Sequence, residues 1–338
     1  TLSFLWDEWH NVVDAWQLQD WEAYRYVKRL GRKTRLAQGQ RETLWQIFQK
    51  VRDELAQKGL STEAEVFTQT AEKLKEHQNP PFDFAVIDEA QDIAVPELRF
   101  LAALGSNRPN SLFFTGDLGQ RIFQPPYSWL SQGVDVRGRS ISLRVNYRTS
   151  HQIKQAADRL LPMKVRDVDG YEESRKGTVS VFDGPAPDIG LFDDEAEEVA
   201  WVGDWLGRAL AAGIAPEEIG VFVRSEDLLH RAKRAIRAAG CEAAALKARP
   251  ADVAGQVVAG TMHVAKGQEF KAVAVMACDD EALPLQARIE TAVEESELEA
   301  IFETERHLLY VAVTRARDRV AVTGIEPGSE FIPDVENA

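Results

Sequence analysis

The run Asp88-Glu89-Ala90-Gln91-Asp92 follows directly on four apolar residues, 84–87. Two adjacent carboxylates at the end of an apolar strand suit metal-assisted chemistry on a phosphate ester. Asp88 can bind Mg²⁺ through water, and Glu89 can polarise an attacking water. A buried strand closed by a solvated acidic turn would give the same pattern, so the rest of the chain decides between them. A second strand-like run, Leu112-Phe113-Phe114-Thr115, ends in Gly116-Asp117-Leu118-Gly119-Gln120, where Gln120 is suited to bonding a γ-phosphate oxygen while orienting a water. In Asn146-Tyr147-Arg148-Thr149-Ser150, Arg148 can make a charge-assisted phosphate contact and Tyr147 can lay its ring on a base. Equally, Thr149 or Ser150 can cap a helix there.

Two further stretches carry the same chemistry. Gly260-Thr261-Met262-His263-Val264-Ala265-Lys266-Gly267-Gln268-Glu269-Phe270 places polar side chains and backbone amides, Gly267 among them, at a strand end, a setting for phosphate contacts. Its spacing differs from a G-x-x-x-x-G-K-[ST] phosphate loop. In the helix leading to Thr314-Arg315-Ala316-Arg317, one arginine can reach a γ-phosphate and offset the charge of phosphoryl transfer. Arginines in a last turn also answer the helix dipole, a role that fits Arg317 better than Arg315.

The elements around these residues alternate. Residues 1–77 have helical periodicity, broken at Asn79-Pro80-Pro81. Short β-type runs then interleave with helical runs to residue 161. A polar stretch, 162–176, reads as a linker before a second series of the same kind, an α/β pattern with parallel strands. The glutamates at 294, 295, 297, 299, 303 and 305 read as a solvated helix surface.

Composition narrows the class. The 338 residues are 44% apolar and 28% charged, ordinary for a soluble chain long enough for two domains. Two cysteines without metal-ligand spacing, Cys241 and Cys278, point to a reducing compartment, and no apolar stretch reaches bilayer length, so no membrane partner is expected. A cytoplasmic location follows. The net charge of −14 argues against coating of polyanions, though a motor tracking one strand can confine its basic groups to a groove.

In this order, Asp-Glu-Ala-Gln-Asp, Gly-Asp-x-x-Gln, Asn-Tyr-Arg-Thr-Ser, Thr-x-His-x-x-Lys-Gly-x-Glu-Phe and Leu-Tyr-Val-Ala-x-Thr-Arg-Ala resemble motifs II to VI of the UvrD/Rep group of superfamily 1 DNA helicases. The resemblance spans about residues 82–324. It implies an α/β fold with two RecA-like P-loop NTPase lobes, the first incomplete, and an N-terminal helical 1B-like segment. The corresponding parts are 1–80 (1B-like), 81–161 (partial 1A) and 162–338 (2A), without room for a large 2B insertion. It implies ATP and Mg²⁺ as cofactors and single-stranded or partly duplex DNA as partner. By the same resemblance Asp88 serves the metal, Glu89 the hydrolytic water and Gln120 the γ-phosphate. Tyr147 stacks on adenine, Arg148 and Arg315 sense phosphate, and Glu269 holds the ribose, with Gly267 beside the cofactor. Thr261 and His263 lie near DNA or couple it to ATP. Phe123, Tyr127 and Trp129 fall where the family stacks bases, but the usual Tyr-x-Trp-Arg-Gly is absent here. A core role suits Trp129 equally.

One departure stands out. No G-x-x-x-x-G-K-[ST] loop precedes Asp88, and the nearest fragment, Gly31-Arg32-Lys33-Thr34, lies in a basic helical stretch. Either the chain is part of a longer helicase, completed by an N-terminal segment or chain, or it is a degenerate module that binds nucleic acid or protein without turnover. The intact charged residues favour the first. The first-lobe sheet should then be left open. Arg25, Lys28, Arg29, Arg32 and Lys33 could touch DNA phosphates or form a basic solvated face.

Overall fold

The computed structural model describes residues 2–27, 36–76, 81–106, 108–122, 127–162, 164–166, 168–170, 172–174, 177–246, 254–292 and 295–336. Phe123, Lys28, Arg29, Arg32, Lys33 and the fragment 31–34 lie outside them. The chain forms two compact units, one of residues 1–141 with 166–172, the other of residues 142–165 with 173–338. No helix among the described residues is long and apolar enough to cross a membrane.

The first unit begins with helices α1 (Leu2–Glu8), α2 (Trp21–Tyr26), α3 (Gln38–Gln57) and α4 (Glu63–Glu76), as the periodicity of residues 1–77 predicts. Val12, Val13, Leu18, Tyr24, Trp45 and Phe48 close one core. Tyr24 stacks on Trp45 with ring centroids 5.4 Å apart. Its buried hydroxyl donates to Glu8 Oε1 at 2.8 Å, which satisfies both polar groups inside that core. Two strands follow, β1 (Ala85–Ile87) and β2 (Leu112–Phe114), joined through α5 (Val95–Gly105) and paired in parallel. One face of the pair, with Ile87 and Phe114, packs on Ile93, Leu98 and Val134. The other face is open: Val86 and Phe113 are 74% and 62% exposed.

The second unit starts with β3 (Val145–Asn146) and α6 (His151–Arg159). The segment read as a linker holds a short ladder of β4 (Lys164–Arg166) with β5 (Glu172–Ser174), and β6 (Val179–Ser180) pairs with β3. The remaining elements are β7 (Asp188–Phe192), α7 (Glu195–Ala211), β8 (Ile219–Val223), α8 (Leu229–Ala238), β9 (Ala243–Ala245), β10 (Val257–Thr261), β11 (Phe270–Val275), α9 (Gln286–Ile289), α10 (Glu295–Val313), β12 (Ala316–Ile325) and α11 (Ile332–Glu336). Six strands make one sheet in the order β7-β12-β11-β8-β10-β9, every pairing parallel. All five residues of β8 are buried, which is how a central strand reads when both sheet faces are covered. Asp194 caps α7 by accepting from Glu197 N at 2.9 Å. Along α7, Val199, Val202, Trp205, Leu206 and Ala209 form the stripe that packs on the sheet. Gly203 lets α7 meet α8 closely, since a Cβ there would stand 2.8 Å from that of Ala238.

A buried carboxylate pins this packing. Glu198 on α7 is 0% exposed. Its Oε1 accepts from Ala277 N at 2.9 Å and from Thr323 Oγ1 at 2.7 Å. Its Oε2 accepts from Arg231 of α8, which also reaches Asp279. Asp279 in turn accepts from Ile325 N at 2.7 Å. Two helices and the ends of β11 and β12 therefore share one charge network. Removing one member leaves the others buried and uncompensated, at a cost of about 3–5 kcal/mol. Glu198→Ala should lower the unfolding free energy by that amount in urea titration of a folded variant; a loss under about 1 kcal/mol would remove the network from this role.

Candidate functional site

In the first unit the acidic pair stands where β1 ends. Asp88 is exposed, and its Oδ1 accepts from Thr115 Oγ1 at 2.5 Å and from Glu89 N at 2.9 Å. The Thr115 bond, then the Glu89 amide, holds the Asp88 carboxyl below the usual range. Glu89 sits at φ 51°, a left-handed turn that a non-glycine residue seldom adopts. The neighbouring Gln91 is buried and bridges both strand ends. It donates to Glu89 Oε2 at 2.5 Å and accepts from Asp117 N at 3.1 Å. Gly116 makes this bridge feasible, because a Cβ there would lie 2.4 Å from Gln91 Oε1. Gln120 donates to Asp117 Oδ2 at 3.0 Å. Asp88 through Thr115, Glu89 through Gln91 and Gln120 through Asp117 are thus tied to one pair of strand ends.

Among the described residues no three His, Cys, Asp or Glu side chains gather as a metal cage. Mg²⁺ does not need one, since it keeps several waters and takes one or two carboxylates. Asp88, with Oδ1 engaged and its carboxylate exposed, fits such a role. Tyr127 and Trp129 pack into the core beneath β1 and β2: the Tyr127 hydroxyl donates to Ile93 O at 2.7 Å, and Trp129 meets Phe114 edge-on at 4.9 Å.

In the second unit, other expected residues meet at the edge where β11 and β12 begin. Arg148 Nη2 donates to Gln268 O at 3.1 Å and pairs with Glu269 at 2.5 Å. Arg315 Nη1 reaches the same Gln268 carbonyl at 3.5 Å. Gly267, at φ +76°, precedes that carbonyl in a turn that favours glycine. Arg315 is 2% exposed and also donates to Val311 O, so its guanidinium is tucked into the unit. Arg317 is more exposed and pairs with Asp318. Tyr147 is 74% exposed beside Arg148, whose buried Nε has no partner. An orphaned buried N–H and an exposed ring suit a phosphate and a base, so these residues fit a nucleotide. The expected cap at Thr149 or Ser150 is not formed. Ser150 makes no side-chain capping bond, and Asn146 Oδ1 takes the Arg148 and Thr149 amides instead.

Thr261 and His263 lie at the opposite edge, where β8 and β10 end. Thr261 is level with Val223, and Met262 N donates to Val223 O at 2.8 Å. The next residue, Arg224, is 5% exposed and forks onto Glu305 with bonds of 2.5 and 2.7 Å. Arg288 adds a third bond to Glu305 at 2.8 Å. Burial alone would raise the Glu305 carboxyl; the bonds and charges of the two arginines outweigh it and hold it low. His263 is pushed down to about 4, first by burial, then by Arg224, with Arg288 adding to it and Glu305 opposing. Its imidazole is neutral at pH 7.

Glu305 corrects the reading of the glutamate run as a solvated surface. Glu295, Glu299 and Glu303 are exposed, but Glu305 is 0% exposed. Its phase was the available signal: residues 305, 308, 309 and 312 lie on one helical stripe, and the last three are apolar. Sequence reasoning also missed Gln91, Arg224 and Arg288, which lack a local pattern marking them.

The UvrD-like helicase C-terminal domain family matches residues 241–326, a stretch that includes His263, Glu269, Arg288, Glu305 and Arg315. DNA helicase IV of Escherichia coli (strain K12) is 27% identical over 271 residues, covering 76% of this chain. Both matches are similarities to UvrD/Rep-type helicases. The chain spans 36% of the length of DNA helicase IV. Among solved structures, the C-terminal domain of a possible DNA helicase from Lactobacillus plantarum WCFS1 aligns with 56% of this chain and 94% of its own, at 20% identity and a TM-score of 0.39, too loose a likeness to bear on the fold.

Thr115→Val removes the largest cause of the lowered Asp88 carboxyl. Its pKa should rise towards the ordinary Asp value near 3.9 in a carboxyl-carbon NMR titration. An unmoved titration would mean that another group holds Asp88.

Proposed function

We propose that this chain is part of an ATP-dependent DNA helicase or single-stranded DNA translocase of the UvrD/Rep type, with two RecA-like lobes and a 1B-like helical segment. The observation that carries this is the meeting of Arg148, Glu269 and Arg315 around Gln268, residues from three separate motifs brought to one sheet edge. ATP with Mg²⁺ would supply the phosphoanhydride whose hydrolysis drives movement along a strand. Asp88 would hold the metal's waters, Glu89 would take the proton of the attacking water, and Gln120 would orient it. Tyr147 would offer its exposed ring to adenine, Glu269 would accept from the ribose, and the Gly267 turn would lie against the cofactor. Arg148 would give its unpartnered Nε, and Arg315 its N–H groups, to phosphate oxygens, which requires both to leave Gln268. Thr261, His263, Phe123, Tyr127 and Trp129 are the proposed DNA residues; the last two would first have to leave their core packing.

The phosphate-loop lysine is not among these 338 residues, so we assign hydrolysis to a longer chain that supplies it. The open face of β1 and β2 supports this reading. The test is DNA-stimulated ATPase activity of this chain and of a version extended N-terminally in its reading frame. The extended protein should hydrolyse ATP, and this chain alone should not. Within the extended protein, Glu89→Gln should lower turnover by roughly 10²–10⁴-fold, the usual worth of a general base. Arg315→Ala should abolish hydrolysis with DNA affinity held within a few-fold. Turnover by the short chain would overturn its assigned incompetence. An inactive extended protein with its lysine and Glu89 intact would favour a non-catalytic binding module, and equal loss of hydrolysis and DNA binding in Arg315→Ala would make that residue structural.

A further inference from the structure

We infer that Arg288, held ready by the buried Glu305, is a contact for the phosphodiester backbone of single-stranded nucleic acid. The inference rests on the helicase reading above and extends it to residues that reading does not use.

Three observations carry it. The first is charge. Two guanidinium groups share one carboxylate, so the cluster holds one surplus positive charge in a chain whose net charge is −14. Arg224 is 5% exposed and faces inward, which leaves the surplus at Arg288, whose side chain is 39% exposed. The second is unused donors. Arg288 commits one Nη1–H to Glu305 Oε1, and among the described residues its other guanidinium N–H groups meet no protein acceptor. A planar fork anchored at one corner presents the rest to an anionic oxygen.

The third is position. Thr261 is level with Val223, and Phe270 falls about two residues before the level of Ile219. At about 3.3 Å per residue, the two edges of the sheet are separated by roughly 20 Å here. The Arg148, Glu269 and Arg315 group lies at one edge and the Arg288 group at the other. A single triphosphate does not span that gap, so the anion at Arg288 is assigned to the nucleic-acid backbone. Glu305 explains itself in this arrangement: a carboxylate buried on the apolar side of α10 fixes where the Arg288 fork points.

Fluorescence anisotropy of a labelled oligothymidylate, titrated with this chain across a salt series, tests the assignment. Each phosphate neutralised on a single strand contributes about 0.7 to the slope of log affinity against log salt. Arg288→Ala should weaken binding on the order of tenfold and flatten that slope by about 0.7. Arg288→Lys should restore the slope but only part of the affinity, because the charge returns without the fork. Arg234→Ala, which removes an exposed arginine of α8 paired with Glu195, should change neither. An unchanged slope in Arg288→Ala overturns the inference while leaving the helicase reading intact. So does an equal drop in Arg234→Ala, which would mean a general charge effect. Weakened binding of a fluorescent ATP analogue in Arg288→Ala, with oligonucleotide binding kept, would move the residue to the nucleotide and also overturn it. No oligonucleotide binding by the unmodified chain overturns the helicase reading and this inference with it.

Discussion

Every strand of the six-stranded sheet runs in the same direction, and that constraint sorts the chemistry of the second unit. In a parallel sheet, residues that follow strands collect at one edge and residues that precede strands collect at the other. Arg224 and His263 follow β8 and β10; Gln268 and Arg315 precede β11 and β12. Backbone joins the two edges. Residues 262–269 leave one edge and arrive at the other, and α10 carries Glu305 and runs on about 12 Å along its axis to end two residues before Arg315. Two separate connections therefore have one end in each cluster.

The fixed points of the unit are buried carboxylates with arginine partners. Glu198 and Glu305 are each 0% exposed, and each accepts at least three hydrogen bonds. Such groups add little net stability over a well-packed apolar core, because desolvation offsets their attraction. What they supply is geometry. Glu198 holds two helices against two strand ends. Glu305 holds two arginines in one orientation beside an uncharged histidine. The acidic pair of the first unit is organised differently, in an exposed turn where Thr115 and Gln91 do the positioning.

Much of this could be read from residue order. The strand-like runs before Asp88 and Gly116, the helical periodicity of residues 1–77 and the chemistry near Arg148, Gly267 and Arg315 all correspond to elements or clusters among the described residues. Other parts were hidden for physical reasons. The strand Asp188–Phe192 carries an aspartate and a glycine and is only half-buried, so it lacks the run of β-branched residues that marks a strand. The strand Ala243–Ala245 is three alanines, which favour helix, and only pairing with β10 makes them extended. Arg224 and Arg288 look like any surface arginines until Glu305 is seen between them, 17 residues from one and 81 from the other. Long-range ion pairs of that kind leave no periodic trace. Which aromatic faces solvent was also unreadable, because Tyr127 and Trp129 are amphipathic and suit a core as well as a surface.

The segment between β10 and β11 is eight residues long, and its length is set by the sheet it crosses. It descends roughly 20 Å while passing a neighbouring strand, in tight turns that rise only about 2 Å per residue. Surface connections ordinarily tolerate insertion and deletion. This one has scant slack: removing two residues would force the remainder to uncoil into extended chain, and His263 and Gln268 would lose the turns that set their places. Change along this stretch during descent is thus confined to swapping one side chain for another, and its residue count behaves like a dimension of the protein.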